Sequence, residues 1–111
     1  MKLIAIVLVL CLVSYTFSYD TVNVGALCAQ HSWDRNCCKC IVQKESGGNP
    51  NANNNGNWIG LFQISKMYWG SCSAGKAPYH PYANLRCAIQ IYKEAGNSWR
   101  PWATSRACGC K

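Results

Sequence analysis

The chain has 111 residues, eleven basic and four acidic side chains, a formal net charge of +7, and nine cysteines. This length allows one small domain and excludes a multidomain enzyme, while the basic excess excludes an acidic disordered chain. The charge points to an anionic partner, and nine cysteines are too many for an ordinary cytosolic domain of this size.

The first residues resemble an export signal. Met1 and Lys2 precede an unbroken apolar run over residues 3–13, and Thr16 and Ser18 place small residues at the −3 and −1 positions of a cleavage site. The pattern predicts a secretory signal peptide at 1–18 and one domain at 19–111. The alternative is a membrane anchor, but the run is well short of the roughly 20 residues that span a bilayer. We expect a secreted, extracellular monomer without a membrane anchor.

The number of cysteines fits an extracellular protein. Removing Cys11 leaves an even number, which in a small secreted domain predicts four disulfides of open pairing. The eight are Cys28, Cys37, Cys38, Cys40, Cys72, Cys87, Cys108 and Cys110. Adjacent Cys37 and Cys38 are not expected to pair, because the disulfide would strain the peptide between them. A zinc site is the alternative use, but no paired C-x-x-C spacing occurs, so neither a metal nor a cofactor is expected.

The predicted core is thin. From residue 19 onward there are twelve Val, Ile, Leu and Met residues. Small domains with so few core residues are commonly stabilised by disulfides. Five tryptophans add bulk, and we expect at least half of them in the core.

In chain order, the first predicted helix spans residues 24–33. A second spans 37–46, with Asn36 as N-cap and Gly47-Gly48 as its end. Residues 49–57 contain six asparagines, one proline and one glycine, which predicts an ordered turn region or a small hairpin.

The second half begins with a buried segment at 59–64 that leads into a short helix, followed by a loop at 71–82. Residues 84–95 form the clearest helix, since Leu85, Ala88, Ile89 and Tyr92 fall on one face and Gly96 follows as a stop. The fold class is therefore α+β, mainly α, with a short β-element or ordered loop.

Glu45 is the acid in an unusual place. It lies three, four and seven residues after Val42, Ile41 and Cys38, so the four share one face of the second helix. Burial and the negative end of a helix dipole both disfavour a charged carboxyl, and a general acid has to be protonated to act. The alternative is a helix-end Glu satisfied by the backbone or by Lys44.

Two motifs that include Glu45 resemble a known family. The segments IVQKESGGNPNA at 41–52 and GLFQI at 60–64 are similar to the lysozyme superfamily, and most similar to soluble lytic transglycosylases and goose-type lysozymes. Residues 81–102 are similar to the C-terminal half of small lysozyme-like domains, so the resemblance covers about 37–102. It implies a small lysozyme-like fold with the β-element near a cleft.

The resemblance also implies roles for individual residues. Glu45 matches the acid that protonates the glycosidic oxygen, and Gln63 and Phe62 match positions of the substrate groove. Asn54 falls where lytic transglycosylases usually carry a serine, and Tyr92 lies near the family's helical tyrosine. Trp69 is the remaining substrate-binding candidate, because an indole can stack on a sugar face, with a place in the core as the alternative.

A second carboxylate is missing from its usual place. Chicken-type and invertebrate-type lysozymes carry an aspartate between the two motifs, whereas no Asp or Glu occurs here at 46–93. Glycosidases usually pair two carboxylates. Either Glu45 acts alone, or Asp34 or Glu94 assists it, although a helix dipole already explains Asp34 and a polar helix face explains Glu94.

The resemblance implies a secreted antibacterial muramidase that cleaves the β-1,4 bond between N-acetylmuramic acid and N-acetylglucosamine in peptidoglycan. The alternatives are a lytic transglycosylase that forms 1,6-anhydro products and a non-catalytic cationic antibacterial or glycan-binding protein. Without residues 1–18 the chain keeps ten basic and four acidic residues, a net charge of +6 that suits anionic bacterial walls. Nucleic acid is not expected as a partner, because the basic residues are scattered.

Overall fold

The computed structural model describes residues 22–111, so the predicted signal peptide at 1–18 lies outside the described residues. The helices are α1 (Val24–Cys28), α2 (Arg35–Ser46), α3 (Trp69–Cys72) and α4 (Pro81–Glu94), with 3₁₀ turns at Lys66–Tyr68 and Ala103–Ser105. Strands β1 (Asn53–Asn54), β2 (Trp58–Ile59) and β3 (Ile64–Ser65) form an antiparallel sheet in that order. The predicted fold class, mainly α with a small β-element, is confirmed. None of the helices in residues 22–111 combines the length and apolar character needed to cross a bilayer.

Helix α2 begins two residues earlier than predicted. Asp34, not Asn36, is its N-cap: the Asp34 backbone is extended, and its carboxylate accepts a hydrogen bond from the Cys37 N–H at 2.9 Å. A cap needs this non-helical backbone, whereas Asn36 already lies inside the helix. The predicted end is confirmed, since Gly47 adopts a left-handed φ of 64°.

Two other boundaries differ from the prediction. Helix α1 ends at Cys28 instead of continuing to residue 33, and the Trp33 indole N–H donates to the Cys28 carbonyl at 2.8 Å. Helix α4 begins at Pro81, with His80 as its N-cap, because a proline suits the first helical position. The loop before α4 is correspondingly shorter than predicted.

The core combines the buried sides of the helices with an aromatic cluster. Four of the five tryptophans are buried, and the exception is Trp58, with 42% of its surface exposed. Trp33 lies 4.7 Å from Trp99, ring centre to ring centre, and Phe62 packs against both Trp33 and Trp102. These large side chains supply much of the buried area that the few aliphatic residues cannot.

Four disulfides join the elements, as predicted. Cys28–Cys38 joins α1 to α2, Cys72–Cys87 joins α3 to α4, and two bonds, Cys37–Cys110 and Cys40–Cys108, join α2 to the C-terminal tail. Cys37 and Cys38 do not pair with each other, as expected. These four bonds use all eight cysteines of residues 22–111.

The two bonds to the tail are nested, which leads to a prediction about stability. Cys37 and Cys110 have a sequence separation of 73, and an isolated disulfide closing a loop of this length would stabilise the fold by about 4 kcal/mol. Because Cys40–Cys108 already holds the same ends together, replacing both Cys37 and Cys110 by serine should lower the free energy of unfolding by only about 2 kcal/mol. Urea unfolding with the other three disulfides intact measures this, and a loss of 4 kcal/mol or more would contradict it.

Candidate active site

A cleft of about 180 Å³ opens between α2, the sheet and the C-terminal tail. It is lined by two stretches of chain, 63–65 and 101–103, and by single residues of α2, β2, α4 and the 3₁₀ turn at Lys66–Tyr68. The lining residues are Glu45, Trp58, Gln63, Ile64, Ser65, Tyr68, Ile91, Pro101, Trp102 and Ala103. The structure therefore brings together two of the predicted site residues, Glu45 and Gln63, which are distant in sequence.

Glu45 reaches the cleft from the last turn of α2. Its helix face is buried at Cys38, Ile41 and Val42, and Glu45 itself is partly buried where that face ends. Its Oε2 accepts a hydrogen bond of 2.7 Å from the Thr104 hydroxyl. The site thus contains a carboxyl on a rigid helix, with one oxygen engaged and the other without a hydrogen bond from residues 22–111.

Gln63 is held by the backbone around it. It is a non-glycine residue with a left-handed φ of 48°, and its Nε2 donates to the carbonyls of Gly60 at 3.0 Å and Ala52 at 3.3 Å. Since the amide nitrogen holds this turn together, the side-chain oxygen Oε1 is the atom that can accept a hydrogen bond from a ligand.

Two predicted groove residues lie in the core instead. Phe62 has no exposed surface, and its carbonyl accepts a hydrogen bond from the Trp102 indole, so the prediction that it forms part of the cleft surface is wrong. Trp69 is 8% exposed and donates its indole N–H to the Ile64 carbonyl at 3.1 Å. Trp69 therefore lies in the core, which was the alternative to stacking on a sugar. Both residues support the cleft from beneath.

Asn54 and Tyr92 also lie outside the cleft lining. Tyr92 packs its ring against Trp33 and Trp99, whereas the preceding residue, Ile91, lines the cleft. Asn54 is exposed on β1 and pairs with Trp58 across the sheet. Asn54 is therefore next to the cleft only because its strand partner, Trp58, lines it.

The sequence interpretation missed several lining residues. Trp58 and Tyr68 are aromatic side chains of the cleft, and the isolated indole in the polar stretch before residue 59 was the available signal for Trp58. Thr104, which holds the Glu45 carboxyl, has no local signal because it lies 59 residues away in sequence. Its proximity depends on how the tail folds back along α2.

No second carboxyl accompanies Glu45 in the cleft lining formed by residues 22–111. Asp34 caps the opposite end of α2, eleven residues away, which corresponds to about 16 Å along a helix. Glu94 borders a different surface depression, beside Gln90 and Lys93. Neither of the two assistants that the sequence left open lines the cleft that contains Glu45. Nor do any three His, Cys, Asp or Glu side chains in this part of the chain form a group able to hold a metal ion.

Comparisons with known proteins agree with this picture. The model of a family described as "Lysozyme like domain" matches residues 29–104. The chain is also similar to Lysozyme X of Drosophila melanogaster, with 28% identity over 88 residues, covering 62% of this chain and 60% of the fly protein. The chain thus spans less than two thirds of that curated relative. No solved structure matches.

Proposed function

The chain belongs to the family of lysozyme-like domains, whose model covers most of it, and we propose that it is a secreted antibacterial muramidase. The proposed substrate is peptidoglycan, cleaved at the β-1,4 bond between N-acetylmuramic acid and N-acetylglucosamine. We further propose that residues 1–18 are removed as a signal peptide and that residues 19–111 act as a monomer.

One observation carries the proposal: a partly buried carboxyl, Glu45, on a rigid helix end inside a cleft with aromatic walls. Sugar rings combine apolar faces with hydroxyl and amide edges. Trp58 and Tyr68 offer flat apolar surfaces for the faces, while Gln63 Oε1 and Ser65 offer hydrogen-bonding groups for the edges. The lining supports a glycan as ligand.

The proposed reaction starts with proton transfer from Glu45 to the glycosidic oxygen. As the bond from that oxygen to the anomeric carbon breaks, the leaving sugar takes the proton and the anomeric carbon becomes oxocarbenium-like. A water molecule then adds to that carbon, and the Glu45 carboxylate accepts the proton that the water loses. Glu45 thereby returns to its starting state.

A second candidate is favoured by the single carboxyl in the described lining. Without a partner carboxylate to activate water or form a covalent intermediate, the 6-hydroxyl of the muramic acid itself can attack the anomeric carbon. That route forms a 1,6-anhydro ring and consumes no water. Glu45 accepts the hydroxyl proton in the same way.

The net positive charge supports the proposed partner. Lys and Arg outnumber Asp and Glu by eleven to four. An anionic bacterial wall attracts such a protein over distances near the Debye length, about 8 Å at physiological salt. We propose that this attraction concentrates the enzyme on its insoluble substrate.

Digestion of purified peptidoglycan tests the proposal. We expect the turbidity of the suspension to fall and soluble muropeptides with reducing ends to appear in mass spectra. Ends lighter by one water would identify 1,6-anhydro sugars and select the second candidate. Undiminished turbidity without soluble fragments, at enzyme levels where hen egg-white lysozyme clears the suspension, would contradict both.

A further inference from the structure

We infer that Thr104 is a positioning residue for Glu45, fixing which carboxyl oxygen carries the proton; this inference rests on the proposed function. The Thr104 hydroxyl lies 2.7 Å from Glu45 Oε2, a short distance for a hydroxyl–carboxyl hydrogen bond. Both side chains are partly buried at the edge of the cleft. The contact joins two elements that are 59 residues apart.

The tail that carries Thr104 is fixed to the same helix that carries Glu45. Two disulfides, Cys40–Cys108 and Cys37–Cys110, join the tail to α2. The Cys108 N–H also donates to the Thr104 carbonyl at 3.2 Å, so Thr104 belongs to the turn that the Cys40–Cys108 bond anchors. A hydroxyl held this firmly loses little further freedom when it binds the carboxyl, which is the basis of a preorganised site.

The contact makes the two carboxyl oxygens different. Oε2 is engaged by Thr104, so Oε1 is the oxygen that is left to hold the proton and present it to a glycosidic oxygen. After the proton leaves, the hydroxyl keeps donating to Oε2 and stabilises the carboxylate. Because the described lining holds no other carboxyl, the same group must first give a proton and then take one back. The Thr104 hydroxyl can donate to Oε2 in both states of Glu45, the protonated carboxyl and the carboxylate.

Replacing Thr104 by valine removes the hydroxyl and keeps the shape. For Thr104→Val we expect kcat on a soluble glycan-strand substrate to fall about tenfold, with KM changed less than twofold, because the lost bond acts on the reacting group and not on sugar binding. Thr104→Ser keeps a hydroxyl and should retain both kcat and KM.

The Glu45 side-chain carboxyl can also be followed without turnover. Its ¹³C resonance, assigned by its disappearance in Glu45→Gln, should change its chemical shift in Thr104→Val, where the carboxyl loses its hydroxyl partner, and stay at the wild-type position in Thr104→Ser. The nearby charged and polar groups, Tyr68 of the lining and the chain neighbours Lys44 and Arg106, are the same in every variant. Thr104→Ala provides the same comparison if the valine variant does not fold.

These readouts separate the two proposals. A wild type that cleaves no glycan refutes the proposed function, while the carboxyl resonance still decides whether Thr104 acts on Glu45. An unmoved resonance in folded Thr104→Val or Thr104→Ala overturns the positioning role. A wild-type resonance in Thr104→Ser, together with a shifted resonance in the valine variant, supports it.

Discussion

Glu45→Gln is expected to reduce the release of soluble muropeptides about a thousandfold, because glutamine keeps the size and polarity of the side chain but has no proton to donate. General acid–base catalysis contributes roughly 10²- to 10⁴-fold, and the cleft lining within residues 22–111 offers no other carboxyl to take over. The rate of fragment release from purified peptidoglycan, followed by mass spectrometry, measures the loss. The amide should leave substrate binding nearly unchanged.

Glu94→Gln is the matched control. It removes the same charge from the other helix-borne glutamate, which lies beside Gln90 and Lys93 away from the cleft. We expect it to keep activity within about twofold of the wild type, because surface electrostatics is screened by salt. Undiminished cleavage by Glu45→Gln would show that another group is the acid. Bacterial killing that survives in Glu45→Gln and fades as salt rises would favour the non-catalytic cationic alternative.

The position of Glu45 was predictable because it depends on a single helix. The spacing of Cys38, Ile41 and Val42 fixes which face is buried, and Gly47 fixes where the helix ends. These are local properties, so Glu45 could be placed at the edge of the core from the sequence. The N-cap was misplaced by two residues, because Asp34 and Asn36 are both good caps and only the backbone geometry selects one.

The rest of the cleft was less predictable because its residues come together through tertiary structure. Phe62 and Trp69 flank residues that do line the cleft, but each turns its side chain into the core. In a chain with so few aliphatic residues, some aromatic side chains lie in the core and others on the surface. The residue type alone does not predict which position a given aromatic side chain takes. Thr104 depends on the pairing of α2 with the tail, and this disulfide pairing was open from the sequence alone.

The segment beneath the cleft is held by a buried asparagine. Asn84 of α4 is fully buried and makes three hydrogen bonds of 2.8 Å to the backbone: it accepts from the Phe62 N–H and donates to the carbonyls of Ile59 and Pro78. Gly60 lies against this side chain with a left-handed φ of 78°. An added Cβ there would overlap the Asn84 amide nitrogen and come within 2.8 Å of its Cγ. Gly60 is therefore required both by its backbone and by its neighbour.

Gly60→Ala is accordingly expected to lower the free energy of unfolding by about 4 kcal/mol or more. A left-handed alanine costs about 1–2 kcal/mol, and displacing Asn84 leaves buried backbone groups unpaired at about 1–3 kcal/mol each. Gly75→Ala is the matched control, since Gly75 has nearly the same φ, 80°, with nothing within 4 Å of an added Cβ. Gly75→Ala should lower the free energy of unfolding only by the cost of the left-handed alanine backbone, about 1–2 kcal/mol.

Urea unfolding of the two variants, with all disulfides oxidised, compares these costs directly. The difference between them isolates the contact with Asn84, because the backbone strain is common to both. Equal losses would show that Asn84 moves aside without cost and would contradict the role given to it here. Since Gly60 also accepts the hydrogen bond from the Gln63 amide, any Gly60→Ala protein that folds should bind glycan more weakly than the Gly75→Ala control. The stability of this segment and the shape of the cleft therefore depend on the same few contacts.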